Sequence, residues 1–451
     1  MKKISDQNNT SKSVDWSTII SVGIIGLLFF IFGFTTWINA ILIPYFKIAC
    51  ELNYVQSLLV AFAFYIAYFV MAIPAAHLLV RVGFKKGMMI GFWIMALGAL
   101  IFVPAALTRT YGIFLLGLFS IGTGLAILQP AANVYITMIG SKERAAQRMS
   151  IMGVCNKTAG IIAPLLLAAA IFRPTDNELF KQIPLMDEVT RNAALDELIQ
   201  RVIVPYAFMA AVLFGLGVLI RYSILPEIDT DKETSAVAHA NSRKTSIIQF
   251  PHLILGAVAI FLHVGSQVTG INTVIGYAQS LGLPLLEAKV FPSYILAITM
   301  SGFLAGIVLI PKFVNHLNIL RICTTSAILL TLLFFLVQGK VTFLGHTANL
   351  SIWFLVLLGL SNSLMWSAIW PLALNGLGKF TKMGGSILIM GLCGSAVVPL
   401  FYGYFADHFN THLAYGVLFP CYVYLVFYAY HGYRVKNWSL KKVIVPSNVP
   451  L

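Results

Sequence analysis

The chain contains twelve apolar runs, and each is long enough to cross a lipid bilayer as a helix. A transmembrane helix needs about 20 consecutive, mostly apolar residues. Because lipid offers no hydrogen-bond partner to the backbone, a run of this length has to be helical within the membrane. The sequence therefore predicts an all-α integral membrane protein. The twelve spans are expected at 17–46, 54–80, 86–106, 111–139, 147–172, 201–225, 248–281, 286–311, 317–338, 350–376, 382–408 and 412–434.

Composition agrees with this class of protein. The chain has 451 residues, of which 59% are hydrophobic and only 10% are charged, whereas a soluble protein carries about 25% charged residues. The net charge of +14 does not indicate nucleic-acid binding, because the basic residues lie in loops between the apolar runs. The five cysteines are scattered without metal-ligand spacing, so we interpret them as packing residues. The lipid bilayer is the expected partner, and neither a metal nor a cofactor is predicted.

The distribution of Lys and Arg predicts the orientation in the membrane. With both termini placed in the cytoplasm, 21 of the 30 basic residues fall in cytoplasmic segments, 8 fall in external segments, and the remaining one is Lys157. Cytoplasmic loops carry an excess of Lys and Arg. The sequence thus predicts a multi-pass protein of the inner (plasma) membrane with both termini cytoplasmic.

A polar segment divides the chain into two parts of six spans each. We expect an N-terminal six-helix bundle at 1–225, a cytoplasmic linker at 226–247 and a C-terminal six-helix bundle at 248–451. A second polar segment, 172–200, is expected to form a loop that carries a short helix between spans 5 and 6. Two six-span halves joined by a cytoplasmic linker are the layout of major-facilitator transporters, in which pseudo-symmetric halves enclose a substrate site near the membrane midplane. A monomer is expected.

Lys157 is an ionisable residue near the middle of span 5. It lies some eight residues from the start of the span, or about 12 Å at 1.5 Å per residue, which is far for a lysine stem to reach the interface. Gly153, Gly160 and Pro164 share its helix face, and small residues mark the packed side of a membrane helix. Ionisable residues at this depth are functional-site candidates. The alternative is a lysine that reaches the interface along its flexible stem.

Four spans carry polar or indole side chains spaced four residues apart, so that each pair lies on one helix face. These pairs are Thr35 and Asn39 in span 1, Gln129 and Asn133 in span 4, His263 and Gln267 in span 7, and Asn362 and Trp366 in span 10. Asn272 lies further along span 7, and Trp37 is near Asn39. Such residues can simply hold helices together. Their recurrence in two spans of each half instead favours a polar central cavity suited to a sugar, with His263 taken by itself as structural.

Carboxylates are missing from the centres of all twelve spans. The sixteen Asp and Glu residues lie in loops, in the linker or at span ends. A proton relay built from carboxylates is therefore not expected. Nor does the sequence show a nucleophile–base pair, a metal cluster or a phosphate-binding loop, so we predict that the protein is not an enzyme.

Several segments resemble the fucose-permease-like sugar porters of the major facilitator superfamily, especially the glucose/galactose branch. The segments are FGFTTWINAILIPYFK, AFAFYIAYFVMAIPA, LQPAANVYITMIG and SNSLMWSAIWPLALNGLG. The resemblance implies a proton- or sodium-coupled sugar symporter. It maps the family's sugar-site positions to Trp37, Asn39, Gln129, Asn133, Asn156, Gln267 and Asn362.

Three departures from the family pattern concern coupling and gating. Ala40 stands where the fucose permease has an aspartate, and Gln129 stands where it has a glutamate, although glutamine is usual in the glucose/galactose branch. The loop between spans 2 and 3 retains the basic gating pattern with Arg81, Gly83 and Lys85. Val80 replaces its usual aspartate.

We therefore expect a secondary active transporter of a neutral hexose, glucose or galactose, that works by alternating access. Coupling has three explanations: Lys157 replaces the transported cation in a uniporter, Lys157 itself exchanges a proton because burial disfavours its charge, or neutral oxygens bind sodium. Cation-coupled symport, with H+ or Na+ as the coupling ion, is favoured. A porter for fucose or N-acetylglucosamine and a non-transporting membrane sugar sensor are the alternatives.

Overall fold

The structure, a computed structural model, describes residues 16–138, 145–223, 246–312, 316–377 and 380–438. Within them, twelve helical segments are long and apolar enough to cross a membrane, which confirms the predicted all-α membrane fold and its twelve spans. The predicted linker, 226–247, lies outside the described residues except for its last two positions. The boundaries between the two bundles therefore stay a prediction.

In the first half, four spans are single helices and two are broken. Spans 1 and 3 are interrupted, at Ile38 and Ile101 respectively. Two short helices, rather than the one expected, lie between spans 5 and 6. The helices are Trp16–Trp37 and Asn39–Ala49 (span 1), Tyr54–Val82 (span 2), Phe84–Leu100 and Phe102–Leu107 (span 3), Tyr111–Met138 (span 4), Ala145–Ile171 (span 5), Asp176–Gln182 and Glu188–Gln200 (loop helices) and Ile203–Tyr222 (span 6).

In the second half, spans 8, 10, 11 and 12 are each divided into two helices. A small antiparallel hairpin, which the sequence did not predict, joins spans 9 and 10, with strands Lys340–Phe343 and His346–Asn349. The helices are Pro251–Ser280 (span 7), Leu285–Ala288 and Phe291–Lys312 (span 8), His316–Leu336 (span 9), Leu350–Ser363 and Met365–Leu374 (span 10), Thr381–Met390 and Gly394–His408 (span 11), and Thr411–Ala414 and Leu418–Tyr430 (span 12).

Glycines let the first and fifth spans of each half approach closely. A Cβ atom on Gly33 of span 1 would lie 2.0 Å from the Asn156 carbonyl oxygen of span 5. In the second half, a Cβ on Gly394 of span 11 would lie 1.9 Å from the Phe261 carbonyl oxygen of span 7. Packing through small residues is the usual way for membrane helices to associate. The close contact therefore recurs between equivalent spans. The glycine lies on the first span in the first half and on the fifth span in the second half.

The two halves contact each other along spans 2 and 11 and along spans 5 and 8. Between spans 5 and 8, the Ser293 hydroxyl donates to the Ile161 carbonyl oxygen at 2.7 Å. Span 1 also packs on span 7 beyond its break. Residues near the middle of spans 1, 5 and 7 are therefore held at the interface between the halves.

Candidate functional site

Lys157 is buried and lies against Trp37. The lysine is 8% exposed, and its Nζ lies 4.3 Å from the centroid of the Trp37 ring. Trp37 can approach span 5 because residue 160 is glycine, where a Cβ would lie 2.4 Å from the indole Cδ1. No carboxylate forms an ion pair with Lys157 among the described residues. The π face of Trp37 is thus the stabilising contact that the structure gives this cation, a contact worth about 0.5–2 kcal/mol.

Asn156 holds the Trp37 ring in place. The indole Nε1 donates to Asn156 Oδ1 at 3.4 Å, and Asn156 Nδ2 donates to the Phe29 carbonyl oxygen at 3.3 Å. Both ends of this amide are therefore engaged within the first half. Asn156 is placed at the predicted site, and its observed contacts orient the aromatic ring that Lys157 covers.

Asn39 and Asn272 are two buried amides without partners. Asn39 is 0% exposed and Asn272 is 1% exposed, and neither the oxygen nor the nitrogen of either side chain makes a hydrogen bond within the described residues. Asn39 follows the break of span 1 at Ile38, and the helix that it begins packs on span 7, which carries Asn272. An unpaired buried polar group costs about 1–3 kcal/mol. A ligand with several hydroxyl groups would remove this cost.

The facing surface of the second half is neutral. Asn362 is 4% exposed and donates through Nδ2 to the Tyr422 hydroxyl oxygen at 3.0 Å, whereas its Oδ1 has no partner in the part of the chain that is described. His263, which is 1% exposed, lies beside Asn362 and close enough to Lys157 for an electrostatic interaction. The cation of the first half and the amide of the second half are therefore brought to one place, with His263 between them.

The other predicted sugar-site residues lie on the same spans with half-buried side chains. Trp366 packs against Trp370, with ring centroids 5.5 Å apart and the ring planes tilted by 51°. These half-buried residues are Gln129, Asn133, Gln267 and Trp366.

The predicted gating loop forms the sharp connection between spans 2 and 3. Gly83 has a φ of 80°, in the region that favours glycine, and it both ends span 2 and begins span 3. Arg81 is exposed, and the Lys85 ammonium donates to the Ser223 carbonyl oxygen at the end of span 6. Lys85 therefore ties this loop to span 6 within the first half.

At the end of the bundle opposite to the start of span 1, the halves are joined by Asp407. We call this end, marked by Lys47, Tyr54 and Asp407, the distal end. The Asp407 carboxylate of span 11 accepts hydrogen bonds from the backbone N–H groups of Tyr54 and Val55 at 2.8 and 2.9 Å. These are the first residues of span 2, where a helix favours an anion. A carboxylate of the second half thus binds the start of a helix of the first half.

A small cavity lies directly inside this contact. Its volume is about 30 Å³, and its lining includes Lys47 and Tyr54 from the first half and Asn272 and Thr273 from the second. A cavity of this size has room for about one water molecule. This cavity is therefore too small to hold a sugar.

Three residues that the sequence reasoning did not assign to the site lie at it. His263 was interpreted as structural, but it lies beside Asn362 and near Lys157. Tyr422 and Ser266 were not singled out, although Tyr422 bonds Asn362 and also contacts Ser266. The sequence could have indicated Ser266, because it follows His263 by one helical turn and so lies on the same helix face. No such signal existed for Tyr422, because span 12 carries several tyrosines with the same sequence context.

Residues 25–399 match the model of the Major Facilitator Superfamily. The chain is 33% identical to a "Glucose/galactose transporter" of Brucella abortus, over 90% of this chain and 92% of the relative. It is 29% identical to a "Putative glucose/galactose transporter" of Helicobacter pylori, over 94% and 99% of the two chains. A crystal structure of the E. coli fucose:proton symporter superimposes with a TM-score of 0.67 at 26% identity, covering 92% of this chain and 98% of the other.

Proposed function

The chain belongs to the major facilitator superfamily of membrane transporters, and from this premise we propose that it carries a neutral hexose, glucose or galactose, across the membrane. The match confirms the predicted major facilitator fold and the assignment to transporters rather than enzymes. The similarity to glucose/galactose transporters and to an L-fucose-proton symporter of E. coli, 28% identical over 87% of this chain, supports a sugar as the substrate.

The observation that carries the proposal is the set of unpartnered amides at the interface between the halves. Asn39, Asn272 and Asn362 present buried nitrogen or oxygen atoms without hydrogen bonds to the described residues. Each sugar hydroxyl group can both donate and accept a hydrogen bond, so the hydroxyl groups of a sugar would pair with such atoms. The Trp37 indole beside them offers an apolar face for a sugar ring.

Transport would proceed by alternating access of the two halves around this site. The Asp407 contact and the tight packing at the distal end correspond to a state closed on that side. With both termini in the cytoplasm of an inner-membrane protein, as the basic residues favour, the distal end faces outside. The transporter would work as a monomer, because the site lies between the two halves of one chain.

For coupling, we propose symport with a cation in which Lys157 takes part. The described spans hold no carboxylate near Lys157, so the usual acidic proton acceptor would be replaced by the lysine amine over Trp37. A proton leaving Lys157 would remove the cation–π contact and free the indole that faces the sugar. Two outcomes would replace proton exchange at Lys157. One is sodium bound by neutral oxygens, and the other is a built-in cation that makes the protein a uniporter.

The purified protein in proteoliposomes tests these statements together. We expect uptake of glucose or galactose, with external alkalinisation when sugar enters down its gradient. Sugar flux that moves neither protons nor sodium would overturn coupling and leave the uniporter. Sugar binding without flux would indicate a membrane sensor instead, and uptake of only fucose or N-acetylglucosamine would change the substrate.

A further inference from the structure

The hairpin between spans 9 and 10 has a leucine at its turn, where the backbone does not favour one. The last pair of its two strands is Phe343 with His346, so the turn contains only Leu344 and Gly345. Both turn residues have a positive φ, of 50° and 81° respectively. A two-residue turn of this kind favours Asn, Asp or Gly at its first position, and a leucine in this backbone region carries a steric cost. The turn by itself therefore does not explain Leu344.

The tip of the hairpin is also apolar and exposed. Leu344 is 58% exposed and Phe343 is 55% exposed. The outward strand positions, by contrast, are polar, because Thr342 and Thr347 are exposed and their hydroxyl groups bond each other at 2.9 Å. Apolar side chains are stabilised by removal from water. The hairpin thus has a polar outer face that suits water and an apolar tip that suits an apolar environment.

Contacts on both sides of the turn hold the tip against spans 8 and 10. The Phe343 ring lies edge-to-face on Trp353, with centroids 4.9 Å apart. His346 donates through Nδ1 to the Glu287 carboxylate at 2.9 Å, and its Nε2 bonds the Tyr294 hydroxyl group at 3.1 Å. Phe343 and His346 directly flank the turn. The tip is therefore fixed beside two membrane spans rather than extended into the water.

These contacts place the tip at the level of the membrane surface. Residues 337–339 connect span 9 to the hairpin, and Asn349 directly precedes the first residue of span 10. A strand of four residues is only about 13 Å long at 3.3 Å per residue. Trp353 and Tyr294 are each the fourth residue of their helices, Leu350–Ser363 and Phe291–Lys312. Because Trp and Tyr are enriched where spans meet the headgroup layer, the tip lies at the depth of the bilayer interface.

The spans that carry the hairpin present apolar side chains to lipid up to its base. Leu336, the last helical residue of span 9, is 77% exposed, and Leu360 of span 10 is 47% exposed. The hairpin itself contains Lys340 and no Asp or Glu, so it would not be repelled by anionic headgroups. Lipid is therefore the apolar environment that reaches the tip.

We propose that the hairpin is a bilayer anchor, in which the tip formed by Phe343 and Leu344 inserts into the interfacial lipid layer at the distal end. The partner is the boundary between headgroups and acyl chains, where an apolar tip is removed from water while the threonine face stays hydrated. His346 ties the hairpin to span 8, so the anchor holds the second half in the membrane. This inference is independent of the substrate.

An added tryptophan measures the depth of the tip. Leu344→Trp and the matched control Thr342→Trp, on the polar face of the same hairpin, are reconstituted in phosphatidylcholine with brominated acyl chains. Each is measured as the difference from the wild type, whose seven tryptophans form a common background. Because interfacial side chains lie about 5–10 Å into the headgroup–acyl boundary, bromine near the headgroup should quench Leu344→Trp about twofold more than bromine near the chain end. Thr342→Trp should stay unquenched.

Leu344→Asn separates anchoring from turn chemistry, because the two predict opposite effects. Asn suits the first position of this turn, so turn chemistry alone would slow amide hydrogen exchange in the hairpin. If lipid holds the tip, exchange at 340–349 in the bilayer should instead become about tenfold faster, because the apolar contact is lost. The loop helix Glu188–Gln200 is the internal control and should not change. Thermal unfolding checks the fold of each variant, and this comparison decides the question if Leu344→Trp does not fold.

Three results would overturn the anchor. Added fluorescence at 344 that is as unquenched as that at 342 would place the tip in water. A blue-shifted but unquenched signal at 344 would show that the tip is covered by protein instead of lipid. Slower exchange in Leu344→Asn would show that the leucine contributes nothing beyond an unfavourable turn.

Discussion

The two faces of the central site differ in how their polar groups are satisfied. On the first half, a cation, an indole and an amide are in contact: Lys157 lies over the Trp37 ring, and Asn156 accepts a hydrogen bond from the Trp37 indole N–H. On the second half, Asn362 donates to the Tyr422 hydroxyl oxygen, and its amide oxygen has no hydrogen-bond partner among the described residues. The comparison teaches that the buried cation belongs to the first half, whereas open amide groups occur in both halves, at Asn39, Asn272 and Asn362.

The largest effect is expected from removing the cation. Lys157→Met keeps a similar shape but cannot be charged, so concentrative sugar uptake should fall by roughly 100-fold, which corresponds to about 2.8 kcal/mol. The measurement is sugar accumulation against a gradient together with proton movement. The control is Lys181→Met in an exposed loop helix, where the ion pair with Glu178 should contribute almost nothing. Wild-type accumulation in Lys157→Met would leave the lysine a structural role only.

The next effect concerns the amides without partners. Asn272→Ala and Asn39→Ala should each raise KM for the sugar by roughly tenfold, because each removes amide atoms that no described residue satisfies and that the ligand would bind. Their thermal stability should not fall, since no hydrogen bond to the described protein is lost. A clear drop in unfolding temperature at an unchanged KM would assign these amides to helix packing instead.

Asn156 should behave in the opposite way. Asn156→Ala breaks the bonds to Trp37 and to the Phe29 carbonyl oxygen, so the free energy of unfolding should fall by about 1–2 kcal/mol. We expect only a severalfold rise in KM, caused by the freed indole. Thermal unfolding and transport kinetics on one preparation check both numbers. If Asn156→Ala and Asn272→Ala changed KM and the free energy of unfolding by the same amounts, hydrogen-bonded and unpartnered amides would not differ in role.

The smallest effect is expected at the distal end. Asp407→Asn keeps one acceptor oxygen but loses the charge at the start of span 2, where helix–anion contacts are worth about 0.3–1 kcal/mol. The closed state should be weakened by roughly threefold. Cys50, half-buried in the connection between spans 1 and 2 that leads to Tyr54, would report this opening through faster labelling by an impermeant thiol reagent. Slower labelling, or none, would show that Asp407 does not hold the halves together.

Much of the fold followed from residue patterns, because the membrane allows so few solutions. The twelve spans were predictable since every apolar run of sufficient length must be helical in lipid. The breaks in spans 1 and 10 were not predictable, because neither Ile38 nor Leu364 is a residue type that interrupts helices. The hairpin at 340–349 was missed because two four-residue strands lie below what periodicity can resolve.

Within the site, the sequence by itself determined which chemistry is available: one buried cation, several amides and indoles, and no carboxylate at the centre of any span. That much follows from composition and spacing, since a polar residue in an apolar helix is conspicuous wherever it points. Only the tertiary structure decided which of these groups are already engaged. Asn156 and Asn272 look alike in the sequence, yet the first is fully bonded and the second is open, because hydrogen bonding depends on neighbours from other spans. The side-chain nitrogen of Asn362 likewise has its partner in Tyr422, sixty positions away in the chain.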